Sequence, residues 1–197
     1  MKTPILLGML AWAALAGEPN LPCDYFKSLL HFRLGALEAE QVSHYPFQTF
    51  DEKNGYCAEE MDHGGMGYMF AVWNMESGKI FGFSEPSGRD PNAYDTTFWA
   101  YRQGRWVELN DVAPPLSLQD FWDEHRPVPA ELKPHAFFEM TLPRKGTTIK
   151  VWLKGICVKG DCENGYRIGR EATYDHLELV WQAKRGRFVK GTRSRER

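Results

Sequence analysis

Four cysteines constrain this fold more than any other feature of the sequence. An even number of cysteines in an exported chain is typical of a disulfide framework, and four cysteines allow three connectivities. We expect the two pairs that are local in sequence, Cys23–Cys57 and Cys157–Cys162. Closing these two loops should stabilise the fold by about 4 and about 2 kcal/mol, respectively, because a cross-link reduces the entropy of the unfolded chain.

A zinc site is the alternative use of these cysteines. Structural zinc sites usually draw their ligands from two closely spaced pairs. Cys157 and Cys162 are close in sequence, but Cys23 and Cys57 each stand alone. The spacing therefore favours disulfides over zinc.

Residues 1–16 have the parts of a secretory signal peptide. Lys2 is an early cation, residues 5–15 form a short apolar stretch, and Ala14-Leu15-Ala16 places small residues at a cleavage site. The alternative is a buried N-terminal strand or helix. We expect export to the periplasm or the cell exterior. We also expect no transmembrane segment after signal removal, because no apolar run is long enough to span a bilayer comfortably.

The balance of residue types excludes several classes of protein. Hydrophobic residues make up 43% and charged residues 25% of the 197 residues, which is typical of a globular domain rather than a disordered chain. The formal net charge is −2, so no basic excess is available to bind a nucleic-acid backbone. The length after signal removal suits one domain, which we place at residues 17–197.

A helix is predicted at the start of this domain. Between residues 22 and 44 a wide apolar face recurs with helical spacing and no internal proline, and Pro46 ends the pattern. The Cys23–Cys57 pair would tie this helix to the following segment. We therefore expect an α+β fold in which the N-terminal helix packs on antiparallel β-sheet.

The sheet is predicted to come from two related β-meanders, at about residues 66–110 and 136–191. Ala71-Val72-Trp73 is echoed by Lys150-Val151-Trp152, and Tyr94-Asp95 is echoed by Tyr174-Asp175. In both copies the Tyr-Asp pair is followed by a strand pattern and then by a glycine turn that begins a second strand. This pattern favours a duplication, and the alternative is that aromatic hairpins resemble one another without common origin. Residues 192–197 are read as a basic tail.

The connector between the meanders, residues 111–135, is rich in proline. Ser117 is followed three residues later by Asp120, a variant of the capping box that begins helices. We expect a short, proline-flanked helix here, pinned to the body of the domain because the prolines stiffen both flanks.

One loop carries a candidate metal site. Met61-Asp62-His63-Gly64-Gly65-Met66-Gly67-Tyr68-Met69 resembles the Met/His motifs of periplasmic copper-handling proteins over these nine residues. The resemblance implies Cu(I) as a cofactor, with Met61, His63 and Met66 as ligands, because thioether and imidazole groups suit that ion. The alternative is an ordinary polar turn that leads into a strand.

No motif for catalysis stands out in the sequence. The G-x-S-x-G and H-E-x-x-H patterns are absent. A hydrolase with an unrecognised site is one alternative, and a small copper-binding protein is another. The sequence favours an exported, non-enzymatic binding domain for a protein or carbohydrate ligand. The predicted binding face is aromatic, formed on an exposed side of the sheet by Trp99, Trp106 and Trp181.

Overall fold

The computed structural model describes residues 19–42, 47–60, 67–88 and 93–196. Over these ranges the chain is an α+β protein with two antiparallel sheets and few helices, which confirms the fold class predicted from the sequence. The predicted signal peptide, residues 1–16, lies outside the described residues. Within the described ranges, no helix is long and apolar enough to cross a membrane.

The first sheet is a six-stranded meander in which each strand pairs with the next strand along the chain. All of these pairings are antiparallel. The first two strands form a hairpin that the sequence reasoning did not predict. The strands are β1 (Phe47–Asp51), β2 (Tyr56–Glu60), β3 (Tyr68–Met75), β4 (Gly78–Pro86), β5 (Tyr94–Arg102) and β6 (Arg105–Glu108).

The second sheet has four antiparallel strands: β7 (Ala136–Thr141), β8 (Ile149–Gly155), β9 (His176–Gln182) and β10 (Arg187–Ser194). Their order across the sheet is β10-β9-β8-β7. Strands β7 and β10 therefore form its two edges within the described part of the chain. The pairing of β9 with β10 contains a bulge between Lys190 and Arg193.

Three α-helices accompany the sheets: α1 (Pro22–Leu34), α2 (Ala36–Val42) and α3 (Glu163–Glu171). The single helix predicted over residues 22–44 is divided in two. Gly35 adopts a φ of 82°, a conformation that side chains rarely tolerate and that ends α1. Short 3₁₀-helices cover Glu52–Asn54, Leu118–Phe121 and Ala130–His135.

The two faces of the first sheet contact different hydrophobic clusters. On one face, Trp73, Ile80 and Phe98 cluster with residues of the second sheet, Val151 and Phe188 among them. The Trp73 indole donates a hydrogen bond to the Thr147 carbonyl at 2.9 Å, so its polar atom is satisfied in this core.

The other face of the first sheet contacts the N-terminal helices. Phe26 and Leu30 of α1 cluster with Phe70 and Phe81 of the sheet, and the Phe26 and Phe70 ring centroids are 5.7 Å apart. The first sheet is therefore covered on both faces, and the second sheet keeps one face toward solvent.

Both disulfides follow the predicted pairing. Cys23 is bonded to Cys57 across a Cα–Cα distance of 5.7 Å, and this bond ties α1 to β2. Cys157 is bonded to Cys162 across 4.2 Å, and it closes the tight turn that precedes α3. Two disulfides are typical of an oxidising, exported environment.

The echoed segments of the two predicted meanders do not lie on equivalent strands. Strands β3 and β5 flank β4 and therefore run parallel to each other, whereas their counterparts β8 and β9 are direct antiparallel neighbours. In the second half, α3 and the disulfide-closed turn occupy the place in the chain that β4 has in the first half. Both predicted meanders have a sequential antiparallel order, β3 to β6 and β7 to β10, but the echoed segments occupy different places in it, so the duplication stays a prediction.

The connector and the basic C-terminus are both held against the domain. Ser117 and Asp120 form the predicted capping box, but the helix that follows is a single 3₁₀ turn. Residues 192–194 belong to β10 rather than to a tail. The Arg195 guanidinium donates to the Ala172 carbonyl at 2.9 Å, which satisfies the C-terminal end of α3.

Candidate binding groove beside strand β7

A groove of about 470 Å³ lies between the connector and strand β7. Its size falls within the usual range for ligand sites. The walls are mainly apolar and are formed by Leu118, Pro127, Val128, Ala136 and Phe138, with Lys133 as a charged member. We refer to this cavity as the β7 groove.

The backbone of β7 presents free hydrogen-bonding groups at this groove. Ile156 N donates to His135 O at 2.8 Å, and in the same register Ala136 pairs with Gly155. Because backbone groups alternate in direction along a strand, those of Phe137 point to β8, and those of Ala136 and Phe138 point away from it. Leu153, the β8 partner of Phe138, agrees with this alternation. Its amide points away from β7 and donates to the Asp175 carbonyl on the other side of β8.

The open edge of β7 is short. The Met140 carbonyl, which belongs to the same outward-pointing set, receives the Thr96 hydroxyl of β5 at 3.5 Å. The Ala136 amide donates to the Lys133 carbonyl at the end of the preceding 3₁₀-helix. Over the described residues, no other backbone hydrogen bond from outside the sheet reaches Ala136 or Phe138. The residues with free backbone groups are thus the same two β7 residues whose side chains line the groove.

The connector wall of the groove is fixed by polar contacts. Asp120 accepts hydrogen bonds from the Ser117 amide at 2.7 Å and from Lys190 Nζ at 2.8 Å. The Gln119 amide nitrogen donates to the carbonyls of Asp123 at 3.0 Å and Arg126 at 3.3 Å. Ser117 and the Gln119 NH₂ group therefore already have partners within the connector.

Lys133 is the charged side chain that remains available to a ligand in the β7 groove. It is exposed, and it makes no ion pair or side-chain hydrogen bond with any residue in the described ranges. The nearby acid Glu131 is directed to Arg167, with a 3.3 Å contact between Oε1 and Nη2. The groove therefore combines apolar walls, free backbone groups and one unpaired ammonium group.

A second surface with polar and aromatic groups lies on the solvent-facing side of β8 and β9. The Trp152 and His176 rings contact each other with centroids 4.8 Å apart, and Trp152 Nε1 donates to the Thr141 hydroxyl at 3.1 Å. His176 Nδ1 lies 2.7 Å from Asp175 Oδ1. The ammonium groups of Lys150 and Lys154 lie 5.4 and 5.8 Å, respectively, from the Trp152 ring centroid. We call this the Trp152 surface.

A smaller cavity of about 310 Å³ lies where three hairpin turns and the start of the connector meet. Charged groups of both signs line it, including Glu76, Arg102, Asp111 and Arg185. Because acids and bases are mixed around this cavity, its walls define no particular ligand charge.

The tryptophans of the predicted aromatic face do not share one exposed surface. Trp99 is 4% exposed and Trp106 is 8% exposed, and both belong to the cluster beneath α1. Trp106 Nε1 donates to the Ser28 hydroxyl of α1 at 3.1 Å. Trp181 packs against the core between the sheets and donates to the Asn74 carbonyl at 3.0 Å. The helix therefore covers the sheet face that the sequence reasoning left open.

The predicted copper ligands Met61, His63 and Met66 lie outside the described residues. Among the side chains that the structure does describe, no group of three histidine, cysteine or acidic residues could hold a metal ion. Just before this loop, Glu59 is 1% exposed, and its Oε2 atom has no hydrogen-bond partner in the described ranges. Burial raises the pKa of Glu59, and the positive charge of Lys27 opposes the rise.

The sequence reasoning predicted the strand at 137–142 and the stiff connector, but it missed the groove between them. In the sequence alone, the lining residues Ala136, Phe138 and Val128 resemble ordinary core positions. No sequence pattern therefore marks them as the walls of a groove. Only the pairing of β8 with both β7 and β9 shows that β7 lies at an edge.

Comparison with known proteins bears on the fold alone. No family model matches the chain. No curated protein matches it. Among solved structures, the two-sheet α+β fold is similar to that of a domain of an uncharacterized protein from Porphyromonas gingivalis W83. The TM-score is 0.56 at 11% sequence identity, and the match covers 85% of this chain and 98% of the other.

Proposed function

We propose that this protein is an exported, non-enzymatic binding domain whose ligand occupies the β7 groove. The observation that carries the proposal is that one cavity combines apolar walls, the open Ala136 carbonyl and Phe138 backbone groups, and the unpaired Lys133 ammonium. Ligand sites commonly combine an apolar cavity with a few polar groups that orient the ligand.

The surrounding structure supports a preformed site. The Cys23–Cys57 disulfide fixes the start of α1, and the Cys157–Cys162 disulfide closes the turn before α3. The connector is held by the Lys190–Asp120 contact. A wall that is already ordered loses little conformational entropy when a ligand binds, which favours affinity. We propose that the packing of α1 on the first sheet, secured by Cys23–Cys57, gives the domain the rigidity that the groove requires.

Binding to the β7 groove is tested by amide NMR shifts of the ¹⁵N-labelled protein, residues 17–197, with N-acetyl-leucine as the probe. We expect shifts at Leu118, Val128 and Phe138. Val128→Trp should fill the groove and abolish them. Trp152→Ala is the matched control on the other surface, and it should leave them unchanged. The absence of shifts in the groove at millimolar probe, in a protein with a folded spectrum, would contradict the proposal.

A carbohydrate ligand on the Trp152 surface is the second candidate, because a partly exposed indole combines an apolar ring, which can stack on a sugar, with a polar N–H group. The half-buried Trp152 ring and the adjacent His176–Asp175 pair favour it. The test is titration with methyl glycosides, followed by the Trp152 indole N–H signal. Shifts of this signal that saturate would support a carbohydrate function, and unchanged signals would exclude the surface.

Copper binding remains a proposal for the loop of residues 61–66. Titration with Cu(I) under reducing conditions should reveal one tight site in the protein and none in a Met61→Ala/Met66→Ala variant. Equal binding by both proteins, or no binding by either, would remove copper from consideration.

A further inference from the structure

We propose that the occupant of the β7 groove is an extended, acidic peptide segment of a partner protein, which adds a short strand to the open edge of β7. This inference rests on the proposed function, namely that the groove binds a ligand. It goes further because it names the chemistry of the ligand and the way in which the ligand is held.

The edge of β7 presents backbone groups that an extended peptide can pair with. Ala136 and Phe138 each direct one N–H and one C=O away from β8, as the pairing register requires. The Ala136 amide is already used by the Lys133 carbonyl. An extended peptide can satisfy the three remaining groups at once, because its own donors and acceptors repeat at the same spacing. A compact small molecule can satisfy one or two of them.

The side-chain cavity lies directly beside this edge. Ala136 and Phe138 contribute both the free backbone groups and part of the groove wall. In a strand added beside them, every second side chain would lie toward the groove and its neighbours would lie toward solvent. Leu118 and Val128 on the opposite wall present apolar surface to the side chains that enter. We therefore expect apolar residues at alternate positions of the peptide.

The charge of the groove favours an acidic ligand. Lys133 has no carboxylate partner among the described residues, and the polar groups of Ser117 and the Gln119 NH₂ are already used by the connector. An acidic side chain in the peptide would pair with the Lys133 ammonium. Opposite charges across a binding site contribute mainly to specificity and association rate.

The length of the open edge limits the contact. At one end the Ala136 amide is used by the Lys133 carbonyl, and at the other Met140 O is covered by Thr96. The added strand can therefore bond to β7 only between these two points. Such a short ladder implies modest affinity, so the interaction suits recognition of a segment rather than a permanent assembly.

The experiment begins with selection of random nine-residue displayed peptides on the immobilised protein, residues 17–197, with counter-selection on Val128→Trp. We expect the selected peptides to alternate apolar residues and to contain an acid. The best peptide is then synthesised with a single N-methyl group at each position in turn. Methylation where the peptide N–H faces β7 should weaken binding by about tenfold, and methylation at the intervening positions by less than about twofold.

A charge test uses two matched protein variants. Lys133→Gln should weaken the peptide by about three- to tenfold, and Lys145→Gln, which removes an exposed charge at another site, should leave binding unchanged. Loss of affinity with added salt should be smaller in Lys133→Gln than in the unmodified protein. Equal affinity in both variants would overturn the assignment of an acidic ligand.

The remaining outcomes separate this inference from the proposed function. If N-acetyl-leucine binds in the groove but no peptide shows the alternating N-methyl pattern, strand addition is overturned and the groove remains a small-molecule site. If sedimentation shows a dimer that the selected peptide dissociates, a second copy is the occupant, and a partner protein is overturned. If neither peptide nor N-acetyl-leucine binds, both proposals fail.

Discussion

Phe121 and Phe138 stack against each other, with ring centroids 5.5 Å apart and ring planes 13° apart. This contact joins the connector to strand β7. The Phe121 carbonyl also accepts hydrogen bonds from the amides of Thr173 and Tyr174, both at 3.0 Å, just before β9. Phe121 is therefore the point at which the wall of the β7 groove is attached to the second sheet.

We predict that Phe121→Ala lowers the free energy of unfolding by about 3–5 kcal/mol, because the ring is 0% exposed and its removal leaves a cavity. The measurement is urea unfolding followed by tryptophan fluorescence. Phe32→Ala is the control, since Phe32 is 58% exposed, and it should cost less than about 1 kcal/mol. Similar losses in both variants would show that Phe121 has no special role in the packing of the connector.

The buried acid Glu59 should make stability depend on pH. Burial raises its pKa in the folded protein above the ordinary value of 4.5, so the folded state binds the proton more tightly than the unfolded state does. The free energy of unfolding should therefore fall as pH increases from the ordinary pKa to the raised one, and stay lowered above it. Below pH 4.5 this penalty is absent.

We predict that Glu59→Gln increases stability at pH 7 and reduces the pH dependence, because the amide carries no charge to bury. Thermal unfolding between pH 4 and pH 8 measures both effects. Glu108→Gln, at an exposed position of β6, is the control and should change neither. A Glu59→Gln protein that is less stable at pH 7 would mean that the carboxylate is ionised and has a partner.

The two disulfides should contribute unequally. The entropy that a disulfide removes from the unfolded chain increases with the length of the loop it closes. The sequence separation is 34 for Cys23–Cys57 and 5 for Cys157–Cys162. Replacing the first pair by alanine should cost about 4 kcal/mol and replacing the second about 2 kcal/mol on the chain-entropy account. Non-reducing peptide mapping checks the pairing, and a peptide joining Cys57 to Cys157 would refute it.

The close approach of β8 to α3 should not tolerate a side chain. A Cβ atom on Gly155 would lie 1.9 Å from the Gly165 carbonyl oxygen, which is backbone and cannot move aside alone. We predict that Gly155→Ala displaces α3 and lowers the melting temperature. The control is Gly169→Ala in α3, where an added Cβ has nothing within 4 Å. It should stabilise the protein by about 1 kcal/mol, because alanine favours the helix more than glycine does. An unchanged melting temperature in Gly155→Ala would contradict the close contact between β8 and α3.

Local patterns in the sequence predicted much of the fold. The strands β3 to β8 follow from alternation and turn residues, and the Ser117–Asp120 capping box was recognisable from spacing alone. The pattern did not predict α3. Its nine residues include two glycines and only one large buried side chain, Ile168, so the helix is positioned by the glycine contact with β8 rather than by an apolar stripe.

The candidate site was less predictable, because it depends on relations between distant segments. A strand at 137–142 was expected, but its place at the sheet edge follows from the pairing of β8 with β9, which no local pattern encodes. In the same way, Trp99 and Trp106 looked available for binding until α1 was placed over them. The sequence therefore indicates which residues can form a surface, and the topology decides which surface is open.

The amide hydrogen exchange of Phe138 tests the account most directly. In the free protein the Phe138 amide should exchange quickly and the Glu139 amide slowly, because the register directs Phe138 outward and Glu139 toward β8. Addition of the selected peptide should slow the exchange of Phe138 by at least about tenfold and leave Glu139 unchanged. Slow exchange of Phe138 in the free protein, or no protection at saturating peptide, would contradict an open edge that binds an added strand.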